Sequence, residues 1–400
     1  MKEGWEYKTF KDQFSINMGK TPPRGDSSSW DKLKHTTNKW VSIADISLNE
    51  GKIIFDTKEY ISDKAAEKIK KVKAGSLLMS FKLTIGKMAF AGDDLFTNEA
   101  IIAIPQNEDY DLHFLYYYLL QYDWRTLTEG NEKVKGATLN KQSIGKILLP
   151  IIPIDEQRRI VSYLDSSFKL IDEIKNKALK SLTEAKALFQ SALAEAMEPK
   201  EGWEEKTLGE ICLIVGRIGF RGYTRKDIVT NKKDGAITLS PSNIVNGNMC
   251  YNNCTYISWF KYNESPEIKI QNGDILIVKT GSSYGKSAFV ENLPHKATIN
   301  PQFVVLKDIK INHKFLSYQL KTKKTYDYIN SIVSGSAIPT FSQANLSKML
   351  ISLPPLSTQK QIFSRLDKLS SKVRAIEEKY QKMVEECDAL KQAMLRDVFE

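Results

Sequence analysis

Lys2-Glu-Gly-Trp-Glu-Tyr-Lys-Thr-Phe10 stands near the start of this 400-residue chain, and Lys200-Glu-Gly-Trp-Glu-Glu-Lys-Thr-Leu208 restates it half-way along. Other pairs follow in the same order. Gly75-Ser-Leu-Leu-Met79 returns as Gly273-Asp-Ile-Leu-Ile277, and Ile85-Gly-Lys-Met-Ala-Phe90 as Tyr284-Gly-Lys-Ser-Ala-Phe289. Phe114-Leu-Tyr-Tyr-Tyr-Leu119 matches Phe315-Leu-Ser-Tyr-Gln-Leu320, and Pro153-Ile-Asp-Glu-Gln157 matches Pro355-Leu-Ser-Thr-Gln359. An unbroken order of matches marks a tandem duplication, with its boundary at Pro199.

Each half begins with about 150 residues of short strands and turns. Apolar runs at 40–46, 51–55, 100–104 and 303–306 predict strands, and helices are expected near 112–122 and 313–323. Each half then ends in a long stretch free of Gly and Pro, from about Glu156 to Met197 and from about Thr358 to Phe399. Apolar residues recur there in steps of three and four, including Ile160, Leu164, Phe168, Ile171, Ile174 and either Leu188 or Phe189 in the first stretch. Ile362, Leu366, Leu369, Val373, Ile376, Cys387 and Leu390 form the second seam. Two such seams predict long helices that bury each other antiparallel, with one domain at each end. The expected fold is α+β with a pseudo-twofold repeat. Domains at 1–150 and 200–352 are each followed by a long helix, at 151–199 and 353–400.

The balance of 58 Lys and Arg against 48 Asp and Glu, net charge +10, favours a polyanionic partner such as nucleic acid. The longest apolar run, 147–154, holds two prolines and is too short to span a membrane. The first ten residues carry no apolar export core, and four cysteines make no secreted framework, so a cytoplasmic location is expected. Cys250 and Cys254 lack a second ligand pair at matching spacing, so no metal site is expected.

Two segments imitate catalytic motifs. Gly281-Ser-Ser-Tyr-Gly-Lys-Ser287 follows an apolar run like a phosphate loop, but only three residues separate its glycines where four are required. It reads better as a turn between strands. Asn300-Pro-Gln-Phe303 is similar to the Asn-Pro-Pro-aromatic motif of amino-methyltransferases, with Gln302 in place of the second proline. No glycine-rich cofactor loop accompanies it, so it reads as a strand entry.

The halves diverge most after each Gly-Trp-Glu start. Gly19-Lys-Thr-Pro-Pro-Arg-Gly25 leads to Ser27 and Trp30 in one, and Gly216-Arg-Ile-Gly-Phe-Arg-Gly-Tyr-Thr-Arg-Lys-Asp227 stands in the other. Arg, Lys, Ser and Tyr on glycine-hinged loops suit phosphate contact and base-edge readout. The candidate DNA contacts are therefore Lys20, Arg24 and Ser27 in the first loop, with Lys82 and Lys87 on a later turn. In the second half they are Arg217, Arg221, Tyr223, Arg225 and Lys226, followed by Lys279, Ser283, Tyr284 and Lys286. An ordinary solvated loop is the alternative for each. For the whole chain the alternatives are a self-contained adenine methyltransferase or nuclease, and a coiled-coil scaffold that binds protein only.

These features together resemble the specificity subunit of type I restriction-modification systems. The resemblance rests on the Gly-Trp-Glu starts, the Gly-Lys-Thr-Pro segment with Trp40, the 216–223 loop, the helix entry at 353–362 and the duplication. It implies two target-recognition domains, each reading half of a bipartite double-stranded DNA sequence. It implies that the paired helices act as a ruler and dock modification (methyltransferase) subunits, two of them, with restriction/translocase subunits joining through the complex. S-adenosylmethionine, ATP and magnesium would be used by those partners. This chain would bind no cofactor and catalyse nothing.

Overall fold

The computed structural model describes residues 2–127, 139–335 and 337–400. The chain divides into two compact units, Met1–Ala178 with Lys382–Glu400, and Leu179–Gln381. Each long helix, Ile154–Met197 and Leu356–Phe399, contributes residues to both units.

In the first unit, strand Glu6–Thr9 pairs antiparallel with Leu148–Ile151, tying the two ends of the recognition region together. A five-stranded sheet runs in the order Asn17–Met18, Ile101–Ile104, Leu77–Ser80, Met88–Ala91, Ile53–Ile54. Its three central strands are buried at every position, because side chains alternate between two covered faces. Leu77, Met79, Met88, Phe90, Ile102 and Ile104 face the helix Leu112–Leu120 and the starting turns of the long helix. Leu78, Ala89, Ala91, Ile101 and Ala103 pack with Val41 and Ile46 on the other side. A three-stranded sheet, Glu59–Tyr60, Lys39–Val41, Phe96–Thr97, carries the variable loops.

The second unit repeats this plan. Glu204–Thr207 pairs with Leu350–Leu353. Leu213–Gly216, Phe303–Lys307, Ile275–Val278 and Ser287–Phe289 form one sheet, again with alternate residues in two cores. In the other sheet Gly235–Leu239 runs parallel to Ala297–Ile299, as Lys39–Val41 runs parallel to Phe96–Thr97 in the first unit. One element appears only here among the described residues, a hairpin of Ile244–Val245 and Asn248–Met249. Asn246 and Gly247 turn it with φ of 50° and 72°, the left-handed pair that a two-residue hairpin needs.

The Gly-Trp-Glu signature is structural in both units. Gly4 and Gly202 turn the chain at φ of 82° and 84°. Trp5 and Trp203 then lie 6.2 and 6.5 Å from Phe114 and Phe315, on equivalent helices.

Within the first unit the long helices pair antiparallel. Lys175 bonds Asp388 and Lys391 bonds Asp172, each at 2.6 Å, so rising numbers on one helix meet falling numbers on the other. Leu164, Leu395 and Phe399 join the domain core there; in the second unit Leu193, Met197 and Leu366 do so.

Three expectations need correction. The run 40–46 is a strand only over Lys39–Val41, because Ser42 caps a helix at Ile43–Leu48 in a reciprocal box with Asp45. The helix expected at 313–323 breaks into His313–Gln319 and Lys323–Ile332, with Thr322 capping the second. The seams also drift. Ile174 and Leu390 are about half exposed, and of the alternatives Leu188 and Phe189 it is Phe189 that packs on the core, while Leu193, Met197, Leu395 and Phe399 are buried. A 3.6-residue helix turns away from a 3.5-residue stripe over so many turns, and its ends pack on the domains instead.

Candidate nucleic-acid interface

The first loop is held open by packing. Gly19 lies so close to Thr97 that a Cβ would sit 2.0 Å from the Thr97 carbonyl oxygen, which explains the glycine. The Lys20 N–H donates to that carbonyl at 2.8 Å. Trp30 and Trp40 meet edge to face at 5.1 Å, and their indole N–H groups donate to the carbonyls of Pro23 and Lys20. The Arg24 guanidinium stacks 4.2 Å from the Trp30 ring centre and pairs with Glu59. Asp26 accepts from Ser28 and Ser29, and those bonds hold its carboxyl below the usual range. Lys20 and Ser27 point into solvent.

Lys82 joins this group. A hydrogen bond from Thr21, and then the charges of Lys82 and Arg24, lower the Glu99 carboxyl against the opposing effect of burial. The structure thus gathers Lys82, Arg24 and Thr21 around Glu99. Lys87, on the same turn, is tied to Glu50.

In the second unit the predicted loop separates into two kinds of residue. Arg217 is buried, and its Nη2 donates to the Ile299 carbonyl at 2.9 Å and to Thr298 Oγ1 at 3.2 Å. Its Nη1 donates to the Arg221 carbonyl at 3.3 Å. Desolvation lowers its pKa, and a guanidinium spent on backbone in this way braces the loop. Arg217 thus spends its guanidinium on the loop and on Ile299 and Thr298. Arg221 pairs with Glu267 at 3.6 Å, and the Tyr223 hydroxyl accepts from Thr238. Arg225 and Lys226 form the exposed tip, a short turn capped by Thr224 and Asp227.

The segment imitating a phosphate loop is a hairpin turn. Ile275–Val278 pairs antiparallel with Ser287–Phe289, and no helix follows. Lys286 is exposed, Lys279 and Ser283 are half-buried, and Tyr284 packs against the core. Asn300 precedes the strand Phe303–Lys307 and bonds within its own turn to Gln302.

Sequence reasoning missed a basic ridge at Lys64, Lys68, Lys70, Lys71 and Lys73, all exposed while Ile69 and Val72 point inward. Lys64 acts electrostatically on Asp26, so the ridge adjoins the first loop. The signal was there in Lys68-Ile-Lys-Lys-Val-Lys73, a run whose apolar residues anchor and whose lysines face out. Lys232 and Lys233, also exposed, extend the second loop's charge. Among the described residues no group of three or more His, Cys, Asp or Glu is placed to hold a metal, and no helix is long and apolar enough to cross a membrane.

Comparison with known proteins agrees with this architecture. The type I restriction modification DNA specificity domain matches twice, over residues 2–184 and 200–386. The MjaIX specificity subunit of Methanocaldococcus jannaschii is 22% identical over 393 residues, covering 92% of this chain and 87% of that protein. A putative type I specificity subunit of Haemophilus influenzae is 26% identical over 289 residues, 71% of this chain and 70% of its own. A chain solved in a study of complex assembly and conformational transition of the type I R-M system superposes with a TM-score of 0.76 at 19% identity, over 100% of this chain and 98% of that one. The HsdS subunit of Thermoanaerobacter tengcongensis gives 0.52 at 18% identity, over 100% and 97%. With two tandem copies of its domain on one scaffold, the chain belongs to the type I restriction modification DNA specificity family and is a DNA-recognition subunit, not an enzyme.

Proposed function

We propose that each unit reads one half of a bipartite, asymmetric double-stranded DNA target. The observation that carries this is a shared plan bearing different loops: the same strand pairing in both units supports a Trp-stacked Arg24 in one and an Arg217-braced loop in the other. Equal scaffolds with unequal reading loops suit unequal half-sites. Lys20, Ser27, Lys82 and the 64–73 ridge are the contacts we assign to the first half-site. Arg225, Lys226, Lys232 and Lys233 are those of the second.

In this reading the paired helices set the gap between half-sites and dock two methyltransferase subunits, through which restriction/translocase subunits join. S-adenosylmethionine, ATP and magnesium belong to those partners, and the complex works in the cytoplasm. Binding to duplex fragments across a salt series tests the reading. Phosphate contacts make affinity fall steeply as salt rises. A chain with no affinity for DNA at any salt would refute it and favour a protein-only scaffold.

A further inference from the structure

The second unit contains a cavity of about 800 Å³. Five elements wall it: the 244–249 hairpin, the 281–287 turn, the residues entering helix Lys323–Ile332, and the two long helices. Lys321 stands at its side, 5.6 Å over the Tyr318 ring, with no hydrogen bond or ion pair to its ammonium among the described residues. The Gly247 backbone faces it, so close that a Cβ there would lie 3.6 Å from the Lys321 Nζ. Arg374 reaches across from the long helix and donates to Asn248 Oδ1 at 3.1 Å. Exposed Lys186 and Lys286 also line the space, with the hydroxyls of Ser282 and Ser283, which bond to none of the described residues.

Few carboxylates oppose this charge. Glu377 lines the cavity, one helical turn from Arg374. Glu291 and Asp367 act on Lys321 from a distance, but both are already paired with Lys314, at 3.3 and 3.8 Å. Burial, and then Arg374, pull the Lys321 ammonium down to about 8, the sign of a cation that lacks its counter-ion.

The first unit supplies an internal control. In the aligned helices Phe114 matches Phe315, so Leu120 stands where Lys321 does, and it packs on the core. The glycine matching Gly285 is Gly86, against which Trp124 packs; a Cβ there would meet the indole nitrogen at 2.3 Å. The hairpin carrying Gly247 has no counterpart among the described strands. Apolar and aromatic side chains occupy the position in one repeat, and cations and hydroxyls surround open space in the other.

From this juxtaposition of Lys321, Lys286 and the Ser282-Ser283 turn around one cavity, with Arg374 held at the lining Asn248, we infer that the second unit binds a phosphate group. Several cations and hydroxyl donors converging on one space match the multiple acceptor oxygens of a phosphate ester. The phosphate comes either from a free phosphorylated small molecule or from the backbone of bound DNA. The second source rests on the proposed function; the first does not.

The test uses the full-length chain with Lys321→Met, and with Arg374→Gln as a second variant on an exposed helix face. Inorganic phosphate and AMP are titrated calorimetrically at constant ionic strength against a chloride control. Salt dependence of duplex binding is measured in parallel. Saturable phosphate or AMP binding that weakens tenfold or more in both variants, with unchanged DNA binding, supports the free ligand. A salt slope lowered by about 0.9, one phosphate's worth, with sequence preference kept, supports the DNA backbone. Wild-type values in both assays for both variants would overturn the inference. If the wild type binds no DNA, the proposed function fails while the phosphate titration still decides the cavity.

Discussion

Gln157 and Gln359 occupy the same post in the two repeats. Each buried amide accepts from the N–H of a helix cap, Asp111 at 2.9 Å and Asn312 at 3.1 Å. Each donates to a carbonyl at the entry of its own long helix, Ile152 at 3.0 Å and Pro354 at 2.9 Å. A second bond repeats nearby: the Tyr117 hydroxyl donates to Asp165 at 2.5 Å, and that of Tyr318 to Asp367 at 3.1 Å. These glutamine and tyrosine bonds fix each domain to its helix.

Gln157→Ala and Gln359→Ala leave a buried N–H and carbonyl unpaired, at a cost of about 1–3 kcal/mol each. Urea denaturation should show that loss. Amide exchange should accelerate at Asp111 in the first variant and at Asn312 in the second, each leaving the other unit protected.

Arg217→Met and the pair Arg225→Ala, Lys226→Ala should part company. Losing Arg217 strips donors from the Ile299 carbonyl and lowers stability by about 1–3 kcal/mol. Losing the exposed pair should change stability by less than about 0.5 kcal/mol. It should lower the salt slope of DNA binding by about 0.9 for each phosphate no longer neutralised. A stable Arg217→Met protein with relaxed recognition would reverse the two assignments.

Arg24→Lys keeps the charge but loses the planar group that stacks on Trp30 while pairing with Glu59. Recognition by the first unit should weaken several-fold with the second half-site unaffected, as competition between duplexes altered in one half would register.

Cys212 is buried, its Sγ–H donates to the Leu208 carbonyl, and burial pushes its thiol up to about 12 from a usual 9.0. The folded state therefore holds a proton that the unfolded chain releases, so this contribution is intact below pH 9 and fades as pH rises toward 12. Alkylation at pH 8 should spare Cys212 until the unit is unfolded, and mass spectrometry would locate the modified thiols.

The duplication, the two long helices and the hairpin nature of the 281–287 turn were legible because each rests on local pattern: repeat order, periodicity and glycine spacing. The capped helix at Ile43–Leu48 was hidden, since Ser42 and Asp45 sit inside an apolar run that reads equally as strand. The burial of Arg217 was hidden for a different reason. An arginine on a glycine-rich loop looks free until the fold brings Ile299 and Thr298, some eighty residues away, against it. The ridge at 64–73 was visible as charge, but its place beside Asp26 depends on tertiary structure.

Modified-base mapping in cells that supply the methyltransferase partner tests the central claim most directly. It compares the native chain with one whose residues 200–352 are replaced by the matching region of another family member. The account predicts that one half of the methylated sequence changes while the other half and the gap between them stay fixed. A change in both halves, or in neither, would contradict it.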